Sequence, residues 1–167
     1  KDGDRDYWMI AEEAKAYERS LILTGGAVGL TRDALAGMAE SIGRSVGTQG
    51  QAASALAQLA ASGRIAGSAI GLVAEAAVRL EREGVRSIDK TVAAYAELGK
   101  EPLQASLRLN ETTNYLTVAL IEQIRALEQQ GKTAEAAAVA QRAAATAENE
   151  RMKAIEQALG PLDKAHR

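Results

Sequence analysis

Ser87 and Lys90 stand in the S-x-x-K spacing of serine acyl-transfer enzymes, in which a serine nucleophile works with a lysine one helical turn later. The companion S-D-N and K-T-G motifs of such enzymes are absent from the sequence. A serine placed directly before an apolar helical segment is also a preferred helix N-cap, because its hydroxyl accepts a free backbone N–H. We therefore interpret Ser87 as a cap and not as a nucleophile.

Carboxylates offer a second kind of chemistry, because two of them flanking a glycosidic bond can hydrolyse a sugar chain. The candidates are Glu12, Glu13, Glu40, Glu97, Glu101 and Glu111. The sequence contains no Phe and only 3% aromatic residues, so it encodes no aromatic-rich cleft for a sugar. A muralytic, lysozyme-like fragment is therefore the least favoured function, and no catalytic residue is predicted.

Ligand-binding patterns are equally sparse. Gly25, Gly26 and Gly29 suggest a phosphate loop, but no Gly-Lys-Ser/Thr follows and no strand precedes, so they indicate the end of a helix. The chain has no cysteine, and its one histidine, His166, lies at the C-terminus. These counts argue against histidine triads and against sites built from cysteine or clustered histidine. We predict no cofactor, no metal and no small-molecule site.

Tyr7 and Trp8 are the one adjacent aromatic pair in the sequence. A core or helix-staple role is the favoured interpretation. The alternative is a contact with a partner protein, since buried aromatic side chains often anchor interfaces. Both alternatives remain open from the sequence.

The composition excludes several broad classes. The net charge is −2, from 20 basic and 22 acidic residues, and no basic stripe indicates nucleic-acid binding. No apolar run is long enough to span a bilayer, and the charged segment at residues 1–6 is unlike a signal peptide. Because the chain starts at Lys1, we expect it to be a fragment or a processed product.

Helical periodicity runs through the whole chain and nothing alternates with period two. Glycines and hydroxyl caps divide the sequence about every twenty residues into eight segments. The first three predicted helices are Asp4–Thr24, a helix capped by Thr31 that ends before Gly47, and Gln49–Ser62, which Thr48 caps. The next two are a helix opened by Ser68 that ends at Gly84 and a helix capped by Ser87 that ends at Gly99. The last three are a short helix from Pro102, Leu116–Gln130 and Thr133–Leu159. A polar turn is expected at Asn110–Asn114.

This pattern predicts an all-α fold, a compact bundle of about seven to eight mostly short helices with a longer C-terminal helix. Alanine makes up about one fifth of the chain, which favours close helix packing over a large apolar core. We treat residues 1–167 as a single helical domain with its weakest joint at residues 99–114. Its alanine-rich last helix could form a seam within the chain or between copies, so a homo-oligomer is one alternative.

Several stretches, taken in order and spacing, resemble the phage tail length tape measure family of lambda-like phages and prophages, over roughly Ser20 to Arg142. They are Ser20–Gly25 ahead of Leu30-Thr31, Gly47–Gly63 followed by Ala74–Ala77, Ser87-Ile88 with Thr91-Val92 and Tyr95–Pro102, and Leu109-Asn110 with Tyr115–Thr117 and Glu122–Gly131.

The resemblance implies a structural, non-catalytic role in tail assembly and tail length determination through protein–protein contacts. It implies tail assembly chaperones, the tail tube protein and tail tip proteins as partners. It also implies a location in the host cytoplasm during assembly and then in the lumen of the tail tube. The competing interpretation is a generic helical adaptor or regulatory module unrelated to phage tails. The helices, interrupted by glycines, suggest a folded domain attached to the part of the protein that determines tail length.

Overall fold

In a computed structural model, residues 32–165 are described, and they form seven helices and no strand. The helices are α1 (Arg32–Val46), α2 (Gln49–Ser62), α3 (Ile70–Arg82), α4 (Ile88–Lys100), α5 (Pro102–Thr113), α6 (Val118–Gln129) and α7 (Thr133–Ala165). The predicted all-α class and the long last helix are thereby confirmed. The prediction of a helix at Asp4–Thr24 lies outside the described residues.

Hydroxyl caps begin three of the helices. The backbone N–H of Gln51 donates to Thr48 Oγ1 at 3.1 Å, and that of Lys90 donates to Ser87 Oγ at 3.3 Å. Thr117 caps α6 in the same way, through a 3.1 Å bond from the N–H of Leu120. The prediction that Ser68 opens the fourth segment is wrong, because α3 begins at Ile70 and its N-cap, Ala69, has no side-chain bond.

Other predicted boundaries also differ from the structure, among them the start of α6, which lies at Val118 and not at Leu116. The helix that starts at Pro102 runs to Thr113, so the expected polar turn at Asn110–Asn114 is mostly helical. The helix ends at Asn114, which adopts the left-handed conformation with φ of 48°. Asparagine tolerates this conformation better than most other residues with a Cβ. The last helix continues past Gly160-Pro161 to Ala165.

The bundle is organised around α7, which packs against α3, α4, α5 and α6. Its buried face consists mostly of alanine, including Ala136, Ala140 and Ala144, each fully buried. The larger apolar side chains gather instead between α1, α2 and α3, where α1 and α2 pack on each other. The chief members of that core are Leu35, Ile42, Val46, Leu56, Leu59, Ile70 and Val73.

The described residues form a compact bundle, as the sequence predicts. At 1.5 Å of rise per residue, the 33 residues of α7 set a longest helix of about 50 Å. None of the helices within residues 32–165 combines the length and the apolar character needed to cross a membrane.

Candidate functional site

Glu148, which is only 3% exposed, is the centre of a buried polar network on the inner face of α7. Its Oε1 accepts hydrogen bonds from the Tyr95 hydroxyl at 2.6 Å and from Arg86 Nη2 at 2.8 Å. Arg86 Nη2 also lies 2.8 Å from Oε2, and Arg86 Nε donates to Thr91 Oγ1 at 3.0 Å. The carboxylate is thus neutralised by one guanidinium and held by one phenol, which joins α4 and the α3–α4 turn to α7.

Gln141 makes a second buried junction, two helical turns before Glu148 on the same face of α7. Its Oε1 accepts the backbone N–H of Ala66 at 2.9 Å. Its Nε2 donates to the carbonyl oxygens of Arg64 at 2.8 Å and of Tyr95 at 3.0 Å. One side chain therefore bonds to two backbone groups of the segment that connects α2 to α3 and to one carbonyl within α4, and it holds α7 to both.

A third set of polar contacts joins α3 to α7 nearer the surface. The Arg79 side chain is only 7% exposed and donates to Glu75 and to Glu156, each at 3.1 Å. Asn149 Nδ2 donates to the carbonyl oxygen of Leu72 at 3.0 Å. Together the three sets fix the position of α7 with directional bonds. The small alanine side chains of α7 alone would specify that position only weakly.

The pKa of Tyr95 is raised well above its ordinary value. Burial is the largest cause, followed by the charge of Glu148 and the hydrogen bond to it, while Arg86 partly opposes the shift. Burial also raises the pKa of Tyr115. Both phenols therefore stay protonated through the neutral range, and Tyr95 acts as a fixed hydrogen-bond donor.

Alkaline pH is expected to destabilise the protein through Tyr95. The folded pKa lies above the unfolded value near 10, so the stability is complete below about pH 10 and is lost as pH rises toward the folded pKa. Each such group contributes a slope of up to about 1.4 kcal/mol per pH unit in that window. Urea denaturation between pH 8 and pH 11 measures the slope.

The matched variant is Tyr95→Phe, which keeps the ring and removes the titrating hydroxyl. Its free energy of unfolding should fall less steeply above pH 10 than that of the wild type, with Tyr115 supplying part of the remaining slope. Equal slopes in the two proteins would contradict the assignment.

A cleft of about 350 Å³ opens beside the Glu148 network, where the α3–α4 turn, the end of α5 and α7 meet. Leu80, Val85, Arg86, Thr112, Thr113, Glu148, Arg151 and Met152 line it. Arg151 Nη1 donates to the carbonyl oxygen of Thr112 at 3.2 Å across its edge. Within residues 32–165, no cluster of three or more acidic or histidine side chains could hold a metal ion.

The residues singled out from the sequence are dispersed. Ser87 caps α4, as predicted, and its hydroxyl accepts the N–H of Lys90. Glu40 forms an exposed pair with Arg44. Glu97 and Glu101 both approach exposed Arg108, and Glu111 is exposed. The other candidates lie outside the described residues: Tyr7, Trp8, Glu12, Glu13, Gly25, Gly26, Gly29 and His166.

The buried network was not predicted from the sequence. A signal for it exists, because Gln141 and Glu148 are seven residues apart on the alanine face of the last helix. Two polar residues at that spacing share a face, and a polar residue on a buried face needs a partner. The sequence gives no sign that Arg86 and Tyr95 are those partners, since they lie 62 and 53 residues away.

Comparison with known proteins accounts for most of the chain. Residues 7–125 match the family described as prophage tail length tape measure protein. A tape measure protein of Escherichia phage N15 is 27% identical over 150 residues, which is 89% of this chain and 18% of that protein. One of Pseudomonas phage PAJU2 is 22% identical over 152 residues, 91% of this chain and 17% of that protein.

The chain thus spans less than one fifth of the length of these curated relatives. No solved structure gives a significant match. The family match extends over more than two thirds of the sequence and covers α1 to α5 completely. The chain belongs to the prophage tail length tape measure protein family.

Proposed function

We propose that this bundle is a folded, non-catalytic module of a bacteriophage tail tape measure protein that serves tail assembly and tail length determination through protein–protein contacts. The observation that supports it is the buried Glu148 network. A segment that acted only as an extended helical rod would have no use for an arginine, a tyrosine and a glutamate brought together from three places in the chain.

The contacts of the module are proposed from the family. Tail assembly chaperones, the tail tube protein and tail tip proteins are the expected partners, and the exposed faces of the helices could also join copies of the chain. The module would act in the host cytoplasm during assembly and later in the lumen of the tail tube. Family membership argues against a helical adaptor unrelated to phage tails.

We further propose that residues 1–167 form one domain, including the joint at 99–114. The N-terminus of α5 is held there by α6, because the N–H of Leu103 donates to Glu128 Oε1 at 3.0 Å. Both α5 and α6 also pack on α7. These contacts support a continuous unit on either side of the joint.

An in-frame deletion of residues 32–165 from the full-length gene tests whether the segment measures length. As one continuous helix these 134 residues would span about 200 Å, whereas the folded bundle extends about 50 Å along α7. We expect the tails to shorten by about 50 Å or less, measured by electron microscopy of purified particles.

The control deletes an equal number of residues from a part of the same protein with uninterrupted helical periodicity, where the expected shortening is about 200 Å. If deletion of residues 32–165 also shortened the tails by about 200 Å, the segment would be an extended helix that contributes directly to tail length. The proposal of a folded module would then be wrong.

A further inference from the structure

The cleft beside the Glu148 network combines an apolar floor with a charged edge. Leu80 and Met152, each 1% exposed, lie at its floor, and Val85, 56% exposed, stands at its rim. Thr112, Thr113 and Arg151 also line it. Its volume is at the small end of the range for binding pockets, sufficient for an aromatic side chain and not for a large ligand.

The lining carries one net positive charge. It contains two arginines and one carboxylate, and the charge of Arg86 is offset by its contacts with Glu148. Arg151 pairs with no carboxylate in the part of the chain that the structure describes, and its guanidinium donates to the Thr112 carbonyl oxygen. A guanidinium at the edge of an apolar cleft suits a ligand that joins a carboxylate to an aromatic ring.

Residues 2–10 of the same chain have that chemistry. Asp2, Asp4 and Asp6 precede Tyr7 and Trp8, and with Arg5 counted the segment carries a net charge of −2. The 24 residues from Trp8 to Arg32 can span about 80 Å when fully extended and about 50 Å when residues 8–24 form the predicted helix, so in either form the reach matches or exceeds the roughly 50 Å length of α7. Tethering also gives the segment a high effective concentration at the cleft.

We propose that this cleft is the docking site for the chain's own acidic–aromatic segment, residues 2–10. In the docked state the Trp8 ring fills the cleft beside Val85 and above Leu80 and Met152, and the aspartates face Arg151. The docking is a property of the chain by itself and does not depend on its role in the tail.

Trp8 is the one tryptophan of the 167-residue chain, so its fluorescence reports the docked state directly. The experiment measures the emission maximum and acrylamide quenching of the full chain at several protein concentrations. We expect a blue-shifted, protected tryptophan. Arg151→Glu should lower the ratio of docked to free segment about tenfold, because it places like charges opposite each other. Its emission then moves toward that of the chain in urea.

Arg125→Glu is the matched control, because it makes the same charge change on α6, in an exposed pair with Glu122 outside the cleft. It should leave the Trp8 signal unchanged. Adding Asp6→Lys to Arg151→Glu restores an opposite-charge pair and is expected to recover protection. Circular dichroism verifies that each variant remains helical.

Two results would overturn the proposal. One is a Trp8 signal that Arg151→Glu and Val85→Asp both leave unchanged while the bundle stays folded. The other is protection that disappears on dilution, which would assign the contact to a second copy of the chain.

Discussion

Replacing Glu148 with alanine is expected to lower the free energy of unfolding by about 3–5 kcal/mol. The substitution leaves the Arg86 guanidinium, whose side chain is 18% exposed, without its carboxylate. It also removes the acceptor of the Tyr95 hydroxyl. Breaking a buried ion pair by deleting one partner costs more than the pair itself contributes, because the remaining charge is desolvated and unpaired.

Urea denaturation at neutral pH measures the loss, and Glu122→Ala is the control. Glu122 also pairs with an arginine, at 3.0 Å, but its side chain is 63% exposed, so its removal should cost less than about 1 kcal/mol. Similar losses in the two variants would show that Glu148 is no more important than a surface glutamate. Since small domains are stable by about 5–15 kcal/mol, such a loss would remove between about one fifth and all of the stability.

Gly99→Ala is expected to have the second largest effect, a destabilisation of about 3 kcal/mol. A Cβ at this position would lie 2.0 Å from the carbonyl oxygen of Arg64, so backbone would have to move. The same carbonyl accepts a hydrogen bond from Gln141, and its displacement would disturb that junction as well. The gain in helix propensity, about 1 kcal/mol, offsets only part of this cost.

Gly37→Ala is the matched control because Gly37 also lies inside a helix, α1, and nothing is within 4 Å of the added Cβ. This variant should be more stable than the wild type by about 0.5–1 kcal/mol. Thermal denaturation of both variants gives the comparison. A destabilised Gly37→Ala, or an unchanged Gly99→Ala, would contradict the packing described for these helices.

Local signals in the sequence were sufficient to predict the helices and two of their caps. Thr48 and Ser87 both cap as predicted, because a hydroxyl three residues before a free N–H acts within a single turn. Gly99 shows the limit of local inference. The sequence predicts it as a helix terminator, yet it lies one residue inside the end of α4. A glycine is needed there because the Arg64 carbonyl oxygen approaches too closely for a Cβ to fit. That approach depends on tertiary packing, which periodicity does not encode.

The candidate site was less predictable than the fold. Its polar side chains come from α7, α4 and the α3–α4 turn. The bonds that Gln141 and Glu148 make, including those to the α2–α3 connection, join positions that are 46 to 77 residues apart. In a single sequence, Arg86 looks like any solvated arginine beside a glycine turn. The alanine face of α7 did offer a cue, because Gln141 and Glu148 interrupt it in register.

The position of Gln141 and Glu148 in the last helix has a consequence for synthesis. Arg86 leaves the ribosome 62 residues before Glu148, which at about 5–20 residues per second is an interval of roughly 3–12 s. During that interval α3 and α4 have neither their ionic partner nor the helix that covers them. The nascent chain therefore completes this bundle only after α7 emerges.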